Sequence, residues 1–159
     1  MSARRFSAVV CAALAVTFAT SSAALAYAST GSYADDPCHS PGAIRGTSGN
    51  DTLSAPPNTT TPVVICGFGG DDVITGGSGN DILIGGPGND TIRGGAGNDY
   101  IEGQGGNDTI YGEDGDDTIL GQTGQDTIEG GAGSDMIDGG TGTDQCGTDD
   151  GDAYHRNCP

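Results

Sequence analysis

The sequence predicts an all-β protein, a parallel β-roll (a β-helix-like solenoid) of nine-residue repeats with two repeats to each coil. Three in-phase observations predict it. Residues 67–138 are eight uninterrupted nine-residue units, each opening with glycine (Gly67, Gly76, Gly85, Gly94, Gly103, Gly112, Gly121, Gly130) and repeating glycine at its fourth position. Every unit has aspartate at its sixth position: Asp72, Asp81, Asp90, Asp99, Asp108, Asp117, Asp126 and Asp135. The eighth position is always a bulky aliphatic: Ile74, Leu83, Ile92, Ile101, Ile110, Ile119, Ile128 and Ile137. A short fixed period of this kind is the signature of a stacked-repeat architecture, in which each unit contacts only its neighbours.

Within a unit, the glycine-rich first six residues make a tight turn that lets backbones approach closely. The last three, such as Thr91-Ile92-Arg93, form a short strand whose central side chain points opposite to its neighbours. Two units close an 18-residue coil, so the aliphatics of two facing sheets meet inside and the turns of alternate units stack on each edge. Stacked strands lie about 4.8 Å apart. Bare carboxylates at that spacing repel by about 1 kcal/mol even in water, and more in a confined edge. A row of them needs cations.

The register GGxGxDxUx, with U aliphatic, resembles the RTX (haemolysin-type) calcium-binding nonapeptide repeat. The resemblance covers the eight units, a ninth ending in cysteine (GGTGTDQCG, 139–147, with Asp144) and an outlying copy, GTSGNDTLS (46–54, with Asp51). It implies calcium ions between successive turns, held by the sixth-position aspartates, Asp51 and Asp144 included, and by carbonyls of the glycine-rich loops that begin at Gly67, Gly76, Gly85, Gly94, Gly103, Gly112, Gly121 and Gly130. Asn80, Asn89, Asn98 and Asn107, each preceding its aspartate, join the implied ligand set. Asp71, Asp116, Gln125, Ser134 and Thr143 stand where that asparagine would be. Nine contiguous turns divide five and four between the edges, giving about seven ions if every gap fills. Calcium suits such a site because it takes six to eight oxygens and mixes carboxylates with carbonyls, whereas magnesium keeps its waters. Ordering nine residues for one buried aliphatic is a poor return, so the chain is expected to fold on binding calcium.

Taken in order, residues 1–28 read as a secretory signal: Arg4 and Arg5, an apolar run from Phe6, and small residues for cleavage after Ala26 or Ala28. The run is rich in Ala, Ser and Thr and ends in cleavage motifs, which argues against a transmembrane anchor in the mature chain. Residues 29–45 are a polar entry segment. The roll is expected over 46–147, with an insert at 55–66 whose Pro/Thr-rich half is a loop and whose Val63-Val64-Ile65 half is a short strand. The contiguous repeats run over 67–147, and 148–159 form a C-terminal cap. Four cysteines remain after the signal, Cys38, Cys66, Cys146 and Cys158. An even count in a secreted chain argues for two disulfides, with three pairings possible. We favour Cys38 with Cys66 and Cys146 with Cys158, because that places one bridge at each end of the stack.

Composition narrows the function. The chain has 22 acidic residues, five arginines and no lysine, for a net charge of −17. Loss of Arg4 and Arg5 with the signal takes this to −19. Such a surface repels nucleic acid and anionic membrane and attracts cations. There is no HExxH and no GxSxG, and His39 and His155 lie at opposite ends, so no enzymatic activity is expected. The expectation is a secreted, extracellular calcium-binding protein. The alternative is a calcium-stabilised adhesion or partner-binding module with a protein or cell-surface partner. Thr91, Thr109 and Thr127 should line up on one outer face, but the third positions of the turns form no matching ladder, which argues against ice binding.

Overall fold

The computed structural model describes residues 36–147 and 152–158. The signal-like stretch 1–28 and the start of the entry segment lie outside the described residues. Among the described residues, a 3-10 turn, Pro37–His39, precedes thirteen strands. The odd-numbered strands form a seven-stranded sheet and the even-numbered a six-stranded one. All the strand pairs are parallel. In chain order they are β1 (Ile44–Arg45), β2 (Thr52–Ser54), β3 (Val64–Cys66), β4 (Val73–Thr75), β5 (Ile82–Pro87), β6 (Thr91–Ala96) and β7 (Tyr100–Gly105). They continue as β8 (Thr109–Asp114), β9 (Thr118–Thr123), β10 (Thr127–Ala132), β11 (Met136–Asp138), β12 (Gln145–Gly147) and β13 (Tyr154–Arg156). Chain neighbours alternate between sheets, so each 18-residue coil contributes one strand to each. This is the parallel β-roll that the repeat predicts.

The core is one column of eighth-position side chains. Ile65, Ile74, Leu83, Ile92, Ile101, Ile110, Ile119, Ile128 and Ile137 are all buried, with Ile44, Leu53, Cys146 and Cys158 packed at its ends. In each sheet the column stacks in register, Ile92 on Ile110 and Ile110 on Ile128, so each aliphatic covers the next. Burial of one such side chain stabilises by roughly 2–3 kcal/mol. The threonines align as expected, Thr91 beside Thr109 beside Thr127.

Two features differ from the sequence expectation. The central strands are six residues long, because they run on into the first three residues of the following turn, the second and third of which pair in register, as Gly95 with Glu113 and Ala96 with Asp114. Stacked turns of identical shape continue the ladder that the strands begin. The roll also extends beyond 46–147. Ile44 pairs with Ile65, and His155 pairs with Ile137, both at the eighth position of a nine-residue unit. The segment 55–66 adds only three residues to the period, since Asp72 reaches back 21 residues to Asp51 where later aspartates reach back 18. The rest of that segment is a coil turn built on Pro and Thr, ending in β3. Its strand lies one residue later than Val63–Ile65.

Disulfides join Cys38 to Cys66 and Cys146 to Cys158. The first lies on the outer face of the larger sheet, in a second apolar cluster with Ile84, Val64 and Ile82. Among the described residues, no helix is long and apolar enough to cross a membrane.

Candidate metal sites

The turns place the aspartates in two ladders, one along each edge. On one edge, Asp51 donates its N–H to Asp72 Oδ1 at 2.7 Å, Asp72 to Asp90 at 2.8 Å, Asp90 to Asp108 at 2.8 Å, Asp108 to Asp126 at 2.9 Å and Asp126 to Asp144 at 3.0 Å. On the other, Val63 donates to Asp81 Oδ1 at 2.9 Å, Asp81 to Asp99 at 2.7 Å, Asp99 to Asp117 at 2.7 Å and Asp117 to Asp135 at 2.8 Å. Oδ1 of each of the nine aspartates from Asp72 to Asp144 thus locks one coil to the coil before it.

The other oxygen divides the ten aspartates into two groups. Oδ2 of Asp72, Asp90, Asp99, Asp108, Asp117, Asp126, Asp135 and Asp144 is buried without a hydrogen-bond partner. In Asp51 and Asp81 it accepts the N–H of the second residue of its own turn, from Thr47 and from Gly77, each at 2.6 Å. Backbone geometry matches this division one for one. The second residue has positive φ in the eight turns with an orphaned oxygen: Phe68, Gly86, Gly95, Gln104, Glu113, Gln122, Gly131 and Gly140. Thr47 and Gly77 do not share it. Positive φ at this position goes with an N–H turned out of the carboxylate's reach.

A second oxygen converges on seven of the eight orphans, all but Asp135. A Cβ built on Gly139 would lie 2.8 Å from Asp144 Oδ2 and 2.7 Å from the Asn157 carbonyl, and one on Gly67 would meet Asp72 Oδ2 and the Gly85 carbonyl. The same pairing recurs at Gly85, Gly94, Gly103, Gly112 and Gly121 with the first carbonyl of the next turn on that edge. The opening glycine leaves the space in which these oxygens gather. Around Gly76 the pair is Asp81 with the Gly94 carbonyl, but Asp81 Oδ2 is already satisfied; around Gly46 it is Asp51 with the Gly67 carbonyl.

A buried carboxylate without a counter-charge is costly, and the electrostatics register it. Burial pushes the Asp90 carboxyl up from 3.8 to about 6, opposed by the Asp72 N–H and reinforced by the Asp72 and Asp71 carboxylates. Burial also pushes Asp99, Asp108 and Asp117 up to about 7, with the ladder carboxylates on either side adding to the shift at Asp99 and Asp108. Asp126 and Asp135 are raised by burial in the same way. Among the described residues, the three arginines are engaged elsewhere. Arg93 bonds Glu113 at 3.2 Å and stacks on Tyr111, Arg156 faces Asp138 at 3.8 Å, and Arg45 reaches the Ser40 carbonyl.

These oxygens fit a hard divalent cation. Among the described residues, no three His, Cys, Asp or Glu side chains converge on one point, so carbonyls must complete any shell. That mixture of carboxylate and carbonyl is calcium chemistry rather than zinc chemistry. Bound there, the ion would supply the positive charge that the paired ladders lack.

The asparagine side chains form a ladder of their own. Asn80 Oδ1 accepts from the Asn98 N–H, Asn89 from Asn107, Asn98 from Asp116 and Asn107 from Gln125, in an exposed ladder beside the aspartates. Their side chains therefore bind the neighbouring turn. The carbonyls of Gly139 and Asn157 are absent from the ligands proposed on sequence, yet both lie beside an aspartate Oδ2. Counting the first residue of every further unit, Gly139 and Asn157, as a carbonyl ligand would have found them.

Comparison with known proteins agrees with the site. The family model for the RTX calcium-binding nonapeptide repeat (4 copies) matches residues 43–55, 67–101, 84–119, 93–128 and 111–146, overlapping windows that span more than half of the chain. The chain belongs to the family of RTX calcium-binding nonapeptide-repeat proteins. No curated protein and no solved structure matched it.

Proposed function

We propose that this is an extracellular, non-enzymatic calcium-binding protein whose roll folds as calcium enters the gaps between stacked turns. The observation that carries the reading is the set of eight buried, unpartnered Oδ2 oxygens, most of them facing a main-chain carbonyl of the next turn. Six gaps between the contiguous repeats have this arrangement, and Asp144 with the Asn157 carbonyl adds a seventh. Asp72, Asp90, Asp99, Asp108, Asp117, Asp126 and Asp144 supply the carboxylates, and the first residue of the following turn supplies a carbonyl. The two disulfides and the signal-like residues 1–28 support secretion into an oxidising, calcium-rich space.

Far-ultraviolet circular dichroism of the mature chain, disulfides intact, tests the reading. Titration with calcium should produce a cooperative gain of β signal that magnesium does not reproduce. A full β spectrum without calcium, unchanged on its addition, would overturn coupled folding.

A further inference from the structure

We infer that residues 36–84 form a calcium-independent base on which the rest of the roll is built when calcium arrives. The inference rests on the calcium-coupled folding proposed above and adds a direction to it. Three observations confined to this end of the molecule carry it.

The first is the state of the carboxylates. Asp81 has both oxygens satisfied by main-chain N–H groups, Asp51 Oδ2 accepts from the Thr47 N–H and at 2.8 Å from Thr47 Oγ1, and neither residue has a buried orphaned oxygen. The turn at 58–63 carries no carboxylate at all, since Val63 stands where the aspartate would be. Asp72 is the one aspartate of the segment with an orphaned oxygen, whereas each of the next seven repeats has one. The base therefore closes with little uncompensated charge.

The second is packing on both faces of one sheet. β3 and β5 bury Ile65 and Leu83 inside the roll, and on the outer side Cys66 and Ile84 are buried against Cys38, with Val64 and Ile82 beside them. From β6 onward the apolar core is the single inner column. More apolar area per residue is removed from water at this end, and that gain needs no metal.

The third is the Cys38–Cys66 disulfide, which closes 28 residues across β1 and β3. A cross-link of this length removes much of the conformational freedom that the uncoiled segment would otherwise keep. The segment's own ladder is complete: Gly46 N–H to the Cys66 carbonyl at 2.8 Å, Val73 to Asp51 at 2.9 Å, and Ile82 to Val63 at 2.9 Å. It offers the exposed edges of β4 and β5 as a template for the next coil, so each added coil pairs with a preformed strand rather than nucleating anew.

Hydrogen–deuterium exchange of the mature chain, disulfides intact, with calcium removed and with calcium in excess, tests this. In calcium-free solution, peptides covering 64–66, 73–75 and 82–84 should exchange at least about tenfold more slowly than peptides covering 100–105, 109–114 and 118–123. Calcium should then protect both sets. Uniform fast exchange without calcium, with protection throughout in its presence, would overturn the base and leave coupled folding standing. Uniform protection in both conditions would overturn coupled folding itself. The paired variant Cys38→Ser/Cys66→Ser should lose the calcium-free protection of 64–66 and 82–84 yet regain it with calcium. Unchanged calcium-free protection in that variant would show that the disulfide is not part of the base.

Discussion

The main-chain N–H of Gly77 donates to Asp81 Oδ2 at 2.6 Å, and Gly95, its counterpart one coil on, makes no such bond to Asp99. Both turns read GGxGND, so the difference comes from what lies beneath them. Gly95 stacks on the glycine-rich turn that contains Gly77, whereas Gly77 stacks on the Pro/Thr turn at 58–63, with the Thr59 carbonyl and Ala55 at its back. One peptide orientation satisfies the carboxylate with backbone, and the other leaves it open to a cation. Eight turns are open in this sense and two are closed.

The two ladders predict opposite outcomes for adjacent residues. Asp108→Asn keeps an oxygen to receive the Asp90 N–H but removes the charge and offers an amide in place of the orphaned oxygen. Calorimetric titration should show one ion fewer, or an apparent affinity weaker by about tenfold or more. Asn107→Ala instead deletes an exposed acceptor of the Gln125 N–H. It should cost about 0.5–1.5 kcal/mol of stability and leave the ion count unchanged.

Acidity should substitute in part for calcium. The folded values of about 6 for Asp90 and about 7 for Asp99, Asp108 and Asp117 lie above the ordinary value of 3.8. A group raised on folding contributes stability that is fully present below its unfolded value and is lost as pH rises through its folded value. The calcium-free roll is thus favoured below pH 4 and loses that support between about pH 6 and 7. Circular dichroism of calcium-free protein should show more β structure at pH 5 than at pH 8. Because protons and calcium compete for the same carboxylates, the calcium needed for half-folding should rise as pH falls. Equal calcium-free spectra at the two pH values would contradict the raised carboxyls.

The repeat phase made the fold legible from Gly67 to Asp138, where four positions recur and each has one physical purpose. It failed at the ends for a physical reason. Ile44, Ile65 and His155 occupy the eighth position of units that lack the opening glycine and the sixth-position aspartate, so 37–45 read as an entry segment, 148–156 as a cap, and only the strand of 58–66 was legible. The aspartates were legible as a row, but not which oxygen each has to spare, because that depends on a peptide orientation set by the turn below. Asn80, Asn89, Asn98 and Asn107 entered the ligand set through the family resemblance. Position in the unit does not reveal that their oxygens are taken by the N–H one coil on.

Turn shape gives a pair of opposite stability changes. Gly88 has φ +149°, and a Cβ there would run into the Gly70 carbonyl. Gly88→Ala should destabilise the calcium-loaded roll by about 3 kcal/mol or more, the sum of strain and overpacking. Gln122 holds φ +75° without being glycine, a conformation that costs a side chain about 1–2 kcal/mol. Gln122→Gly relieves it at an entropic cost of about 0.5–1 kcal/mol, so thermal denaturation in calcium should show a gain of up to about 1 kcal/mol.

Coupled folding also predicts that a residue touching no ion controls ion affinity. Ile119 is fully buried on β9 in the larger sheet, between Ile101 and Ile137. Ile119→Ala removes about 2–5 kcal/mol of packing and cavity energy. If metal binding and folding share one free energy, that loss must appear in the calcium titration. The midpoint should move to higher calcium, with the shift divided among the ions bound in the cooperative step, while every carboxylate and loop carbonyl is left in place. Asp71→Asn, an exposed change on the turn surface where Asp71 receives the Asn89 N–H, should leave the midpoint nearly unmoved. An Ile119→Ala protein with wild-type calcium midpoint but lower thermal stability in calcium would show that the sites form before the core closes. In that case the ions bind a preformed edge, and the aliphatic column consolidates around it afterwards.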